Sequence, residues 1–412
     1  MNGEKLVPKL RFPGFNNEWN KEKICNLFEI KNGLNKGKDF FGKGISILNY
    51  MDVNLNVLNT ENSIKGLVDV NETEMNRYSV KNNDLFFTRT SETSDEIGLT
   101  SVYIGKSIKC VFSGFILRAR PLNTNINSLF FAYCLRNTRN RYNIIKHSSI
   151  TTRALISGSI LSQMKINFPN ISEQEKIANF LSAVDKKIEY LTQFHENYIK
   201  FKKGLLQQIF TQKIQFKKDL YETCELDVNF FKDLMKKGKA GGTPKSTKKS
   251  YYDGEMPFLS ISDMTNQGKY IWSTEKLITD EGLNNSSAWI IPKNSLLYSI
   301  YASVGFVAIN KVEITTSQAI FGIILKSNMD LEFVYYYLCY YQQFIHRMIE
   351  TGTQGNLNSK IVKNMSIPVP LLEEQEKISI FLSAVDKKID LIQSQIDKIN
   401  MFKKSLLQQM FI

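Results

Sequence analysis

Apolar residues over 172–210 step by four and three: Ile177, Leu181, Val184, Ile188, Leu191, Tyr198, Leu205 and Ile209, with polar and charged residues between them. This is the seam of a coiled coil. It predicts one helix of about 40 residues, roughly 60 Å long at 1.5 Å per residue. The seam returns over 373–411 as Ile378, Leu382, Val385, Ile389, Ile392, Ile396, Ile399, Leu406 and Met410. The two segments share EQEKI, FLSAVDKKI and FKK-(Gly/Ser)-LLQQ, and they align without a gap at a constant offset (374 − 173 = 201). That period far exceeds the roughly 20–50 residues of a solenoid repeat. Each repeat is therefore a globular part plus a long helix. Ser172 with Glu175 predicts a capping box for the first helix. Glu373 stands at the matching position of the second, just after Pro368 and Pro370, which cannot continue a helix from upstream.

A helix with one apolar stripe needs a cover. The economical cover is the other copy; the alternative is the helix's own globular half. Copy against copy predicts an interface of Ile177, Leu181, Val184, Ile188 and Leu191 with Ile378, Leu382, Val385, Ile389, Ile392 and Ile396. Lys202, Lys403 and His195 also fall on the seam, where a polar residue usually fixes register at some cost in stability. A lone histidine there reads as partly solvated before it reads as a metal ligand.

The globular parts show the same plan twice. Residues 1–20 read as an extended lead-in, and 24–30 as a short helix or strand. Residues 31–53 join a glycine-rich basic loop, with Gly42 and Gly44, to a strand around Ile45–Leu48. Short β-prone runs follow at 84–89, 102–104 and 110–118. Residues 128–146 read as a helix, 147–155 (HSSITTRAL) as a polar loop and 164–169 as a strand. In the second half, 211–219 reads as a basic linker and 228–249 as a basic loop around Gly241, Gly242 and Pro244. MPFLSISDM (256–264) falls where ISILNYMDV falls in the first half. Two apolar runs surround 302–305. A strand follows over 314–325, with Gln318 exposed by alternation. A helix at 331–349, a loop at 351–360 and a strand at 365–370 complete the set. The tyrosines of 331–349 read as core before they read as a stacking platform.

Composition narrows the function. A chain of 412 residues suits two to three domains. No run of about 18 apolar residues is present, so no membrane span is expected. The first residues lack the apolar core of a signal peptide. Five cysteines, none in CxxC spacing, suit a reducing compartment and a cytoplasmic location. The net charge of +13 points towards polyanions, although charge alone does not separate nucleic acid from an acidic membrane. Asn/Asp-Pro-Pro-aromatic, Walker A, HExxH and GxSxG motifs are absent. Neither an enzyme nor a coiled-coil adaptor for other proteins is favoured over a nucleic-acid reader.

The paired EQEKI…FLSAVDKKI and FKK…LLQQ segments, the start LRFPGF…EW (10–19), the loop GGTPKS (241–246) and the approach IPVPLLEEQEKI together resemble the specificity subunits of Type I restriction–modification systems. The first half departs from the pattern in lacking the GGTP turn. The resemblance implies a subunit with no catalytic centre. Each recognition domain would read half of a bipartite duplex DNA target. The helices would set the gap and dock two modification (methyltransferase) subunits, with restriction subunits as further partners. It also implies that S-adenosylmethionine, ATP and magnesium belong to those partners, leaving this chain with no cofactor.

The fold expected is α+β. Two mixed, β-rich recognition domains (1–169 and 217–370) are joined by two long helices (170–216 and 371–412) that pair as an antiparallel coiled coil with pseudo-two-fold symmetry. By residue type and loop placement, the candidate DNA contacts of the first half are Lys36, Lys43, Arg89, Thr152 and Arg153. Those of the second are Thr243, Lys245, Ser246, Lys248, Tyr301, Gln318, Gln354 and Asn356.

Overall fold

The structure, a computed structural model, describes residues 6–106, 109–150, 152–216, 227–347 and 357–412. It divides into two compact units, Met1–Thr192 with Ser394–Ile412, and Gln193–Gln393. Both long helices form, over Ile171–Phe210 and Leu372–Gln409. Each unit therefore owns the first part of one helix and the last part of the other.

The first unit is built on a five-stranded sheet. Its order is Phe28–Asn32, Ile116–Pro121, Leu85–Thr88, Thr100–Tyr103, Leu58–Asn59, antiparallel except for the last pair. A three-stranded sheet (Gly66–Val68, Phe41–Leu48, Cys110–Phe112) stands beside it. The strand Asn20–Lys23 pairs with Lys165–Phe168, which leads into the long helix. The second unit repeats this connectivity. Its five strands run Met235–Ala240, Ile320–Leu325, Leu296–Ser299, Val307–Asn310, Tyr270–Ile271, again with a parallel last pair. Its three-stranded sheet is Lys276–Ile278, Tyr252–Leu259, Thr315–Thr316.

Glycine holds the shared bends. Gly44, at φ +91°, bulges its strand where a Cβ would stand 2.4 Å from the Val68 carbonyl oxygen. Gly42 and Gly44 thus belong to a strand and not to a loop. Gly254 repeats this bulge in the second unit, where a Cβ would stand 2.4 Å from the Ile278 carbonyl oxygen.

Several boundaries differ from those expected. The first long helix is capped by Asn170, whose Oδ1 accepts from the Glu173 amide at 3.0 Å, so Ser172 lies inside the helix. In the second, the Leu371 carbonyl accepts from the amides of Glu374 and Gln375, which puts Glu373 in the first turn. The segment 128–146 breaks into Ser128–Leu135 and Thr138–Lys146, because Asn137 ends one helix and caps the next. The α-helix from Leu331 stops at Tyr341 and tightens to a 3-10 helix over Gln342–Arg347. The runs 110–118 and 314–325 are each two strands around a turn, at 113–115 and 317–319. Gln318 is exposed because it sits in that turn, not by strand alternation. The segment 228–249 is a loop only from 241; before it lie the strand Asp227–Phe230, a helical turn and the strand Met235–Ala240.

Each helix stripe is covered in both of the ways considered. In the first unit Ile177 and Leu181 join one core with Phe130 and Phe131 of the globular part, with Leu406 of the other helix and with Met410 and Phe411 just past its end. In the second, Ile378, Leu382 and Val385 join Phe333, Tyr336 and Leu338 and also Leu205, Leu206 and Ile209. Within either unit the numbering rises along one helix as it falls along the other, so the segments are antiparallel. Leu191, Ile392 and Ile396 are buried, whereas Val184, Ile188 and Ile389 are half-buried.

Polar ties repeat too. Gln174 is buried; its Oε1 accepts from the Asn127 amide at 3.0 Å and its Nε2 donates to Pro169 O at 2.8 Å. Buried Gln375 accepts from the Asp330 amide and donates to Pro370 O, both at 2.9 Å. The lead-in residues close the first unit as the chain following Phe210 closes the second. The Leu10 amide donates to Gln409 O at 2.9 Å, and the Ile214 amide to Gln208 O at 3.2 Å. Phe12 meets Phe180 edge-on, and Phe216 meets Phe381, both at 5.5 Å between centroids. Arg11 adds a bidentate clamp on buried Glu173, at 2.7 and 2.8 Å.

Candidate nucleic-acid interface

The strands fix where polar loops emerge, and the loops decide which charges are available. In the first unit Lys43, Thr152 and Arg153 are exposed. Arg153 stands 3.6 Å from Glu92, with side-chain exposures of 62% and 84%. Lys36 is an internal tie instead of a free cation. Its ammonium donates to Glu74 Oε2 at 2.6 Å and to Asp69 O at 2.8 Å, and it lies over the Phe40 ring. Arg89 is half-buried, with Nη1 3.4 Å from the Gly114 carbonyl oxygen. Lys36 is thus already paired within the unit, and Arg89 is less open than Lys43, Thr152 and Arg153.

In the second unit Thr243, Lys245, Ser246, Lys248 and Gln318 are exposed, and Tyr301 is 39% exposed. The Thr243 hydroxyl donates to Gln318 Oε1, which leaves the Gln318 amide nitrogen as a presented donor. Lys248 reaches the Tyr251 hydroxyl at 3.1 Å and Glu281 at 3.7 Å, so its charge is shared. Lys245 and Ser246 sit on the turn that follows Gly241 and Gly242. Gln354 and Asn356 lie outside the described residues.

The lysines on the helix seams have acidic partners. Lys403 lies 2.5 Å from Asp185, and Asp185 also accepts from the Tyr133 hydroxyl at 2.8 Å. Lys202 lies 2.5 Å from Asp386, which accepts from the Tyr336 hydroxyl at 2.7 Å. Burial first, and then the adjacent carboxylate, push both phenols far above the ordinary tyrosine range, so they stay protonated donors. The aspartate of FLSAVDKKI in one copy thus meets the first lysine of FKK in the other. His195 is half-buried on the seam. Among the described residues no group of three or more His, Cys, Asp or Glu is placed to hold a metal ion, and no helix is long and apolar enough to cross a membrane.

Sequence reading by residue type overlooked two sets of exposed apolar side chains. Phe115, 58% exposed, stands in the turn where the second unit has Ala319. Phe201 and Phe402, related by the 201-residue offset, are 52% and 53% exposed on the long helices, and Leu391 is 52% exposed. The signal for the helix set was in the sequence: FKK recurs with an aromatic residue off the seam in both copies.

The chain matches the Type I restriction modification DNA specificity domain over residues 16–199 and again over 225–401. A Methanocaldococcus jannaschii protein named as the MjaX specificity subunit is 27% identical over 95% of this chain and 92% of its own length. The MjaVIII specificity subunit of the same organism is 23% identical over 80% and 78%. Among solved structures, the S subunit of a type I system from M. genitalium superimposes with a TM-score of 0.58 at 16% identity, covering 98% of this chain and 99% of that one. A chain from a study of type I complex assembly and conformational transition gives 0.62 at 13% identity, covering 97% and 98%. With two copies of the domain spanning nearly all of its length, this chain belongs to the Type I restriction–modification DNA specificity family.

Proposed function

We propose that this chain is the non-catalytic, DNA-reading subunit of a cytoplasmic Type I complex, with recognition domains over 1–169 and 217–370 and spacer helices over 170–216 and 371–412. Each recognition domain reads one half of a bipartite duplex target. The observation that carries this reading is the contrast between scaffold and surface. Strand order, glycine bends and the Gln174/Gln375 ties repeat between units. The exposed turns do not: Gly114 and Phe115 in one stand where the other has Gln318 and Ala319. A kept frame with changed tips suits two readers of different sequences.

Lys43, Lys245 and Ser246 hold phosphates. Thr152, Arg153, Thr243, Tyr301, Gln318, Gln354 and Asn356 are the candidates for base edges or flanking backbone. The helices fix the gap and dock two modification subunits through faces that include Phe201 and Phe402. S-adenosylmethionine, ATP and magnesium are used by the modification and restriction partners.

The test is to map methylated adenines in cells with and without this chain, and to titrate duplex affinity of the chain with its modification subunit against salt. A two-part motif with a fixed gap, and log K falling linearly with log salt, are expected. Salt-insensitive or absent duplex binding would favour a protein adaptor instead.

A further inference from the structure

The central strand pair is joined differently in the two units. In the first, Leu85–Thr88 and Thr100–Tyr103 are separated by 11 residues (89–99); in the second, Leu296–Ser299 and Val307–Asn310 by 7 (300–306), a difference of 11 − 7 = 4. The loops start and end alike. Gly98 donates to Thr88 O and Gly305 to Ser299 O, both at 2.9 Å, while Ile156 donates to Arg89 O and Leu357 to Ile300 O. The longer connection carries Glu92, Asp95 and Glu96 on a chain of net charge +13.

One of these acids is held by several donors within the fold. Glu96 accepts from Tyr50 at 2.9 Å, Ser91 at 3.0 Å and Asn54 at 3.3 Å, which pins the loop. Asp95 lies beside it on the exposed side of the loop, where its backbone carbonyl accepts from Arg141 at 2.9 Å. Glu92 is different. The antiparallel pairs Ala154↔Ser91 and Leu155↔Thr90 bring the next position of each strand, Arg153 and Glu92, across from one another. The guanidinium and carboxylate are 3.6 Å apart and both face solvent. They border a cleft of about 460 Å³ that also touches Tyr50, Thr93, Glu96 and Phe115.

A carboxylate on a surface that approaches phosphates is repelled unless it meets a donor. In the major groove, cytosine N4 is such a donor, and the guanine paired with it offers O6 and N7 to an arginine. We propose that Arg153 and Glu92 together read one G·C base pair of the first half-site, Arg153 donating to guanine and Glu92 accepting from cytosine N4. Without DNA each neutralises the other; on the target each turns to its base. This rests on the reading of the units as DNA-recognition domains, and it names a base pair and its two readers.

The experiment uses the full chain co-expressed with its modification subunit, selecting from duplexes randomised in the first half-site. Arg153→Ala should relax one base-pair position by roughly 5- to 150-fold, and Glu92→Gln should relax the same position. Arg153→Lys, which keeps the charge and loses the fork, should relax it in part. The second half-site should be selected as in the wild type, which also shows that the variants fold. Relaxation at two different positions, no change, or uniform weakening of all sequences by Arg153→Ala would each overturn the proposal. If the wild-type complex itself selects no sequence and shows no salt-sensitive duplex affinity, the DNA reading fails first, and the two failures are distinct.

Discussion

Lys403 meets Asp185 at 2.5 Å, and Lys202 meets Asp386 at the same separation. In each unit the acid comes from one repeat and the base from the other. The pairs are 18–28% exposed in their side chains, enough screening to weaken them and enough burial to make an orphaned partner costly. Lys403→Ala should destabilise the first unit by about 1.5–3 kcal/mol, the range for a hydrogen bond to a charged group. Restoration by the exchange Lys403→Asp with Asp185→Lys should be partial, because Tyr133 then donates to a position that no longer accepts. Thermal unfolding of the four chains measures the coupling. Simple additivity would show that the contact does not hold the helices in register.

The helices also present apolar groups away from the seam. Phe201 and Phe402 occupy matching positions and are about half exposed. If these faces dock the modification subunits, Phe402→Asp should remove one of two bound subunits and the double variant with Phe201→Asp both, each with at least a roughly tenfold loss of affinity. Melting temperature should hardly move, since neither ring is buried in a core. Native mass spectrometry of the co-expressed complex reads the stoichiometry, and two subunits retained on the double variant would reject this face.

How much of this could be read from the chain depended on where the physics was local. The long helices were legible because the 3-and-4 spacing of Ile177, Leu181 and their successors is a property of each helix alone. Their antiparallel direction, also expected, is fixed by contacts that no local pattern contains. It follows from Asp185 reaching Lys403 and Asp386 reaching Lys202, contacts between residues about two hundred positions apart. The strands at 110–118 and 314–325 read as single runs because apolar content does not mark a turn at Ser113 or Ser317. The helix 128–146 read as unbroken because Asn137, a weak helix former, acts as a cap only once Asn140 is placed to donate to it. Residue type picked out Lys43, Arg153 and Gln318, which are exposed. It also took in Lys36, whose use by Glu74 and Asp69 is a matter of tertiary contact. Phe115 was passed over because an aromatic residue after Ser-Gly reads as core.

Phosphate contacts and base contacts separate by their salt behaviour. Lys43 and Lys245 are exposed, and among the described residues neither forms an ion pair. Lys43→Ala and Lys245→Ala should each weaken binding to all duplexes alike and lower the slope of log K against log salt by about 0.9. Lys36→Ala is the contrast: its effect should fall on the thermal stability of the first unit and leave the slope intact. Fluorescence anisotropy between low and moderate salt distinguishes them. A reduced slope for Lys36→Ala, with none for the other two, would reverse the assignment drawn from the ion pairs.

The gap between half-sites tests the role of the helices most directly. The two units divide at Thr192/Gln193 on one helix and Gln393/Ser394 on the other. Seven residues added at each point keep the apolar seam in phase, because seven is the heptad period. They lengthen both helices by about 10 Å at 1.5 Å per residue. At about 3.4 Å per base-pair step, the methylated motif should gain roughly three base pairs of unread sequence, with both half-sites unchanged. Adding the residues to one helix alone should instead misalign Lys202 with Asp386 or Lys403 with Asp185 and cost stability before it shifts spacing. Methylated-adenine mapping reads the result. An unchanged gap in the doubly lengthened chain would mean that the helices do not measure distance, and an altered half-site would mean that the recognition domains do not act independently of them.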